Sequence, residues 1–117
     1  MLKLMYITNS PEVASIADGA GVDRIFIDLE QYGKEKRQKN WDSVKSKHSI
    51  SDIPKVKSAV KNAQIFVRTD PIFDGFSDEL EGVLAGEPDV VMLPYFKTIR
   101  EVETFIKAVD GRATTSL

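Results

Sequence analysis

Residues 23–30 read DRIFIDLE, an apolar, β-branched run that stops at two carboxylates, Asp28 and Glu30. Its centre, Ile25-Phe26-Ile27, shows no apolar/polar alternation. That predicts a strand buried on both faces, the habit of parallel sheets. In parallel α/β folds, ligands bind at the carboxyl ends of the strands. Acidic groups at that end are placed to act on something.

Before this run, residues 2–8 (LKLMYIT) read as a short strand. Ser10-Pro11 then supplies a cap and a proline at the first helical position, where its missing N–H costs nothing. Val13, Ile16, Ala17 and Ala20 share a helical face, and Gly21 offers a left-handed stop. Strand, short helix and strand in this space make a βαβ unit, so the strands are expected to be parallel.

After it, residues 31–47 are charged and Lys-rich, and predict a long loop with a helical turn near Trp41. Loops longer than about 12–15 residues in compact domains are usually functional or disordered. Ser51 or Asp52 caps a helix running to Asn62, with Ile53, Val56, Ala59, Val60 and Ala63 on one face. Residues 64–68 (QIFVR) form a third strand that is apolar until its terminal charge. Ser77 caps a short helix with Asp78 and Glu79 in its first turn. Leu80, Val83 and Leu84 are its buried face, and Gly86 ends it. Residues 89–93 (DVVML) are a fourth strand. Thr98 to Glu101 form a capping box opening a helix striped by Ile99, Val102, Phe105, Ile106 and Val109, which Gly111 closes.

Four βα units in a row predict an α/β protein. A fifth strand is expected at residues 111–117 (GRATTSL), but that tail reads as too polar and too short to form one. Eight such units close a barrel in roughly 250 residues, and four would leave two open strand edges. The expectation is a single domain over residues 1–117. It would be the first half of a (β/α)8 TIM barrel, truncated after the fourth βα unit. A complete, doubly wound, flavodoxin-like sheet is the alternative, and would make the chain a binding or signalling module.

Bulk properties narrow the function. With 16 basic against 18 acidic residues and a net charge of −2, no basic face emerges, so nucleic acid is not an expected partner. The chain has no cysteine, which excludes disulfides and thiolate chemistry. No apolar run approaches the roughly 20 residues that span a bilayer. The opening MLKLMYITNSPE has too short an apolar stretch for a signal-peptide core. The expected setting is cytoplasmic, with no membrane partner.

Three segments carry a resemblance to a known family. GVDRIFIDLEQYGKEKRQ (residues 21–38), IFVRTDP (65–71) and GEPDVVMLPYFKTIREVETF (86–105) together run through nearly the whole chain. In order and spacing they resemble the HpcH/HpaI aldolase/citrate lyase family. Its members cleave or form carbon–carbon bonds next to 2-oxo acids or acyl thioesters. The resemblance implies a phosphoenolpyruvate/pyruvate-type barrel, a divalent cation (Mg2+ or Mn2+) for the full-length enzyme, and a homo-oligomer. Its small-molecule partner would be a pyruvate- or oxaloacetate-like 2-oxo acid or an acyl thioester. The family's metal-ligating Glu and Asp follow its fourth strand, so the implied ligands lie beyond Leu117. Two positions depart from the pattern. Gln31 stands where a histidine or aspartate is usual, and glutamine is not a base. Tyr95 stands where lysine often follows the Leu-Pro pair.

The resemblance assigns Arg68 to substrate binding, since a planar guanidinium grips a carboxylate with two parallel hydrogen bonds. The bland alternative is a structural salt bridge to Asp28 or Glu30. Glu30 and Asp28 are the catalytic candidates: Glu30 either orients water or steadies Arg68. Asp28, two residues earlier, shares its side of the strand. Two carboxylates this close repel unless a cation lies nearby. His48 reads as surface, Trp41 as a loop anchor, Pro94 as a turn former and Tyr95 as a residue of the pocket mouth. Asp70 and Asp74 read as solvated loop residues. Lys34, Lys36, Arg37 and Lys39 could meet a phosphate or an acyl-coenzyme A tail, or simply be a solvated charge run.

Overall fold

The computed structural model describes residues 2–30, 49–73 and 75–117. Along the chain run β1 (Met5–Ile7), α1 (Pro11–Gly19), β2 (Arg24–Asp28), α2 (Asp52–Ala59) and β3 (Gln64–Arg68). They are followed by α3 (Phe76–Ala85), β4 (Val90–Met92), α4 (Ile99–Val109) and β5 (Thr114–Ser116). The sequence readings at Gln31, Lys34, Lys36, Arg37, Lys39, Trp41, His48 and Asp74 lie outside the described residues.

All strand pairs are parallel and the sheet order is β1-β2-β3-β4-β5. A doubly wound sheet reverses its strand order at a switch point. Here each strand is laid beside the last without reversal, the order of a partial barrel. Right-handed crossovers in one direction put the helices on one face. The core follows: Ile25, Ile27, Leu29, Ile65, Val67, Val91 and Leu93 pack with Ile53, Val56, Leu80, Val83, Phe105 and Val109 in one cluster. Phe66 is buried but outside that cluster. It belongs to the opposite, inner face, where register places Ile7, Phe26, Phe66 and Val90 in one row.

Local signals explain most of the elements. The Ser10 hydroxyl accepts from the Val13 N–H at 3.3 Å, with Pro11 opening α1. Gly21, at φ +96°, turns the chain into β2. The Thr98 hydroxyl accepts from the Glu101 N–H at 3.1 Å, while the Glu101 carboxylate reaches back to the Lys97 N–H at 3.0 Å.

Five readings need correction. The tail does form a strand: β5 pairs with β4, and the Leu93 N–H donates to the Ser116 carbonyl at 3.0 Å. Ladder bonds come from the backbone, so an exposed edge strand tolerates polar side chains. In α1 the buried positions are Ala14, Ala17 and Asp18, whereas Ile16 is 73% exposed. Small side chains face the core there, and the bulky ones point outward. Helix α2 ends at Ala59 rather than Asn62, because the backbone N–H groups at 61–63 bond to Asp18 instead. Helix α3 is capped by Gly75, not Ser77, and begins with the buried Phe76. In α4, Phe105 and Val109 are buried, while Ile99 and Ile106 of the expected stripe are exposed. Among the described residues, no helix is long and apolar enough to cross a membrane.

Candidate active site at the carboxyl ends of β2 and β3

Register brings the site together. Asp28 is the cross-strand partner of Arg68, Arg68 of Met92, and Met92 of Ser116. Partners in adjacent parallel strands project to the same face, so these four form the top row of the inner surface. Below them lies the Ile7–Phe26–Phe66–Val90 row, and below that Met5, Arg24 and Gln64. This layering is that of a barrel interior.

Arg68 and Asp28 form a two-point ion pair. Arg68 Nε donates to Asp28 Oδ1 at 3.0 Å and Nη2 to Oδ2 at 2.6 Å. The Arg68 side chain is 24% exposed and that of Asp28 8%. The Asp28 hydrogen bond, followed by the nearby charges of Asp28, Glu30 and Tyr95, outweighs burial and raises the Arg68 pKa. The guanidinium is therefore a fixed cation at the rim. Its Cζ also lies 5.7 Å from the centroid of the Phe26 ring.

Glu30 is fully buried, and its N–H donates to Asp28 Oδ1 at 3.1 Å. It thus lies beside the same ion pair, within electrostatic reach of Arg68. The candidates Asp28, Glu30 and Arg68 meet at one mouth, as parallel strands require. Tyr95 joins them from the turn after β4, half-exposed and held at φ +50°. That left-handed conformation is unusual for a bulky residue.

Asp70 and Glu79 make a second acidic pair on this rim, where the Asp70 N–H donates to Glu79 Oε1 at 3.4 Å. Burial, and then the Asp70 charge, raise the Glu79 pKa above its ordinary value. Among the described residues no group of three or more His, Cys, Asp or Glu side chains converges to hold a metal ion. The described residues do not by themselves fit the cation that the resemblance implies.

The inward Phe26 and Phe66 and the row-mates Met92 and Ser116 were missed by sequence reasoning. Period-two spacing in R-x-F-x-D and Q-x-F-x-R was the available signal. Asp18 was missed as well. Its carboxylate accepts from the N–H groups of Lys61 (2.7 Å), Asn62 (3.1 Å) and Ala63 (2.7 Å). These bonds lower its pKa.

A sequence model of the HpcH/HpaI aldolase/citrate lyase family matches residues 3–114, nearly the whole chain. The chain belongs to that family. No curated protein matches it. Among solved structures, an HpcH/HpaI aldolase from Desulfitobacterium hafniense DCB-2 superposes with a TM-score of 0.59 at 16% identity. The match covers 92% of this chain and 36% of that one. At that identity the likeness shows the fold: a parallel sheet with alternating helices, consistent with part of an HpcH/HpaI-type barrel. The chain spans about a third of the length of the solved aldolase.

Proposed function

We propose that this chain supplies the carboxylate-binding part of a carbon–carbon lyase or aldolase site. Its substrate would be a pyruvate- or oxaloacetate-like 2-oxo acid or an acyl thioester. One observation carries the reading: a partly exposed Arg68, locked as a cation at the strand ends between two acids. Charge-assisted hydrogen bonds are worth about 1.5–3 kcal/mol each, enough to orient a small 2-oxo acid. In this reading Arg68 takes the substrate carboxylate. Glu30 orients water or steadies the guanidinium, and Asp28 sets its direction. A divalent cation, Mg2+ or Mn2+, belongs to the proposal by family resemblance alone. The described residues do not assemble its ligands. The protein in this proposal is cytoplasmic and homo-oligomeric.

Replacing Arg68 by Lys tests the reading, because a lysine keeps the charge and loses the fork. Pyruvate and oxaloacetate affinity, measured by calorimetry, is expected to fall at least about tenfold, the equivalent of one such bond. Unchanged affinity rules the role out. The 117 residues alone are expected to give no turnover; aldol cleavage by this chain in Mg2+ or Mn2+ would contradict that.

A second reading is a family scaffold without catalysis. It is favoured by Gln31 and by Asp28 already occupying two donors of Arg68. Arg68→Lys separates the two, since a purely structural pair changes stability without changing ligand affinity.

A further inference from the structure

The inner face carries a four-membered stack that runs from the bottom of the sheet to the site. The Phe26 and Phe66 rings lie with centroids 4.9 Å apart and planes inclined by 24°. Arg68 Cζ sits 5.7 Å from the Phe26 centroid, and Arg24 Cζ 5.8 Å from that of Phe66. Arg24 is itself tied down, its Nε donating to Gln64 Oε1 at 3.1 Å. Each ring of the stacked pair thus has a guanidinium over it, and every member comes from a central strand.

We propose that Phe26, braced by Phe66, is a positioning residue that sets the plane of the Arg68 guanidinium for carboxylate binding. The inference rests on the carboxylate-binding reading of Arg68. The geometry divides the labour. Asp28 engages the Nε–Nη2 edge and fixes rotation within the guanidinium plane. It leaves the plane free to tilt about that edge. A cation is attracted to the face of an aromatic ring, so the Phe26 ring opposes the tilt. Phe66, stacked against it, holds the Phe26 ring in place. Of the five N–H donors of a guanidinium, those engaged among the described residues all point at Asp28. The stack therefore decides where the remaining donors aim.

Phe26→Met fills a similar volume without a ring face, and Phe26→Tyr keeps the face. The side-chain Nε–H resonance of Arg68 and pyruvate affinity are followed by NMR in the isotope-labelled chain. In the unsubstituted chain the Arg68 signal is expected to be displaced by the ring current relative to that of Arg112, whose Nε–H is also hydrogen-bonded, to the Val109 carbonyl. Phe26→Met is expected to abolish the displacement and weaken pyruvate binding about 3–10-fold, and Phe26→Tyr to restore both. A side chain with only a packing role would move neither the resonance nor the rescue. An undisplaced Arg68 signal in the unsubstituted chain overturns the proposal whether or not the variants fold. So does unchanged affinity in Phe26→Met while Arg68→Lys has lost binding, and the carboxylate reading then survives. Unchanged affinity in Arg68→Lys removes that reading and this inference together.

Discussion

Arg68 and Asp28 are register partners in adjacent parallel strands and share two hydrogen bonds, of 3.0 and 2.6 Å. Pairing at the strand ends makes this ion pair a consequence of the sheet rather than of a flexible loop. The backbone fixes both Cα positions before either side chain chooses a rotamer. That is the kind of site in which a cation can be held ready for an anionic ligand.

The pair is expected to couple strongly in stability. Asp28→Asn and Arg68→Met, made singly and together, form a double-mutant cycle under urea denaturation. We expect a coupling of about 1–2 kcal/mol, above the usual surface pair because Asp28 is buried, and below a fully buried one because Arg68 is partly exposed. A coupling near zero would show that the bonds do not persist in solution.

Acid should act through Asp18. Its three backbone donors favour the carboxylate, so its folded pKa lies below its unfolded value. The resulting stability is fully present above the ordinary carboxylate pKa and is lost as pH falls through the lowered folded value. Asp18→Asn is expected to melt earlier than the parent at pH 7, with the difference shrinking below about pH 4. A gap that stays constant into acid would refute this account.

Glu79 has the opposite sign. Burial and Asp70 raise its folded pKa, so the native state gains stability as pH falls through that raised value. At neutral pH the ionised group costs stability. Glu79→Gln should raise the thermal midpoint at pH 7, and the gain should vanish in acid. A lower midpoint at pH 7 would mean that the carboxylate makes a favourable contact there.

Gly86 is needed for a close approach. A Cβ built on it would meet Ile53 Cγ2 at 2.7 Å and Ile53 Cβ at 3.1 Å, pressing α3 against α2. Overpacking of this kind costs about 1–3 kcal/mol. Gly86→Ala should lose that much in urea denaturation. Combined with Ile53→Ala, which removes the clashing methyl, the loss should be smaller than the sum of the two single losses.

Much of the frame was legible in the sequence. The unbroken apolar centres of β2 and β3, each ending in a charge, placed Asp28, Glu30 and Arg68 at one end of parallel strands. The boundary between Ser10 and Pro11, and the Thr98–Glu101 cap, were readable because capping is a local hydrogen bond. The β5 pairing was not, because its stabilising bonds are backbone bonds that polar Thr114 and Ser116 do not advertise. The buried phase of α1 was also hidden. Apolar spacing marks a face, but the neighbouring elements decided that Ala14 and Ala17 would pack while Ile16 stayed outside.

Taken alone, the order of residues determined the alternation of strands and helices, the parallel pairing and the chemical types at the strand ends. Those follow from hydrophobic period, caps and turn residues, all of them short-range. Only the tertiary structure decided that Asp28 would grip Arg68, that Phe26 and Phe66 would stack with an arginine over each, and that Asp18 would tie down residues 61–63. Each of these depends on register or loop approach between segments about 40 residues apart, a distance over which local propensity carries no information.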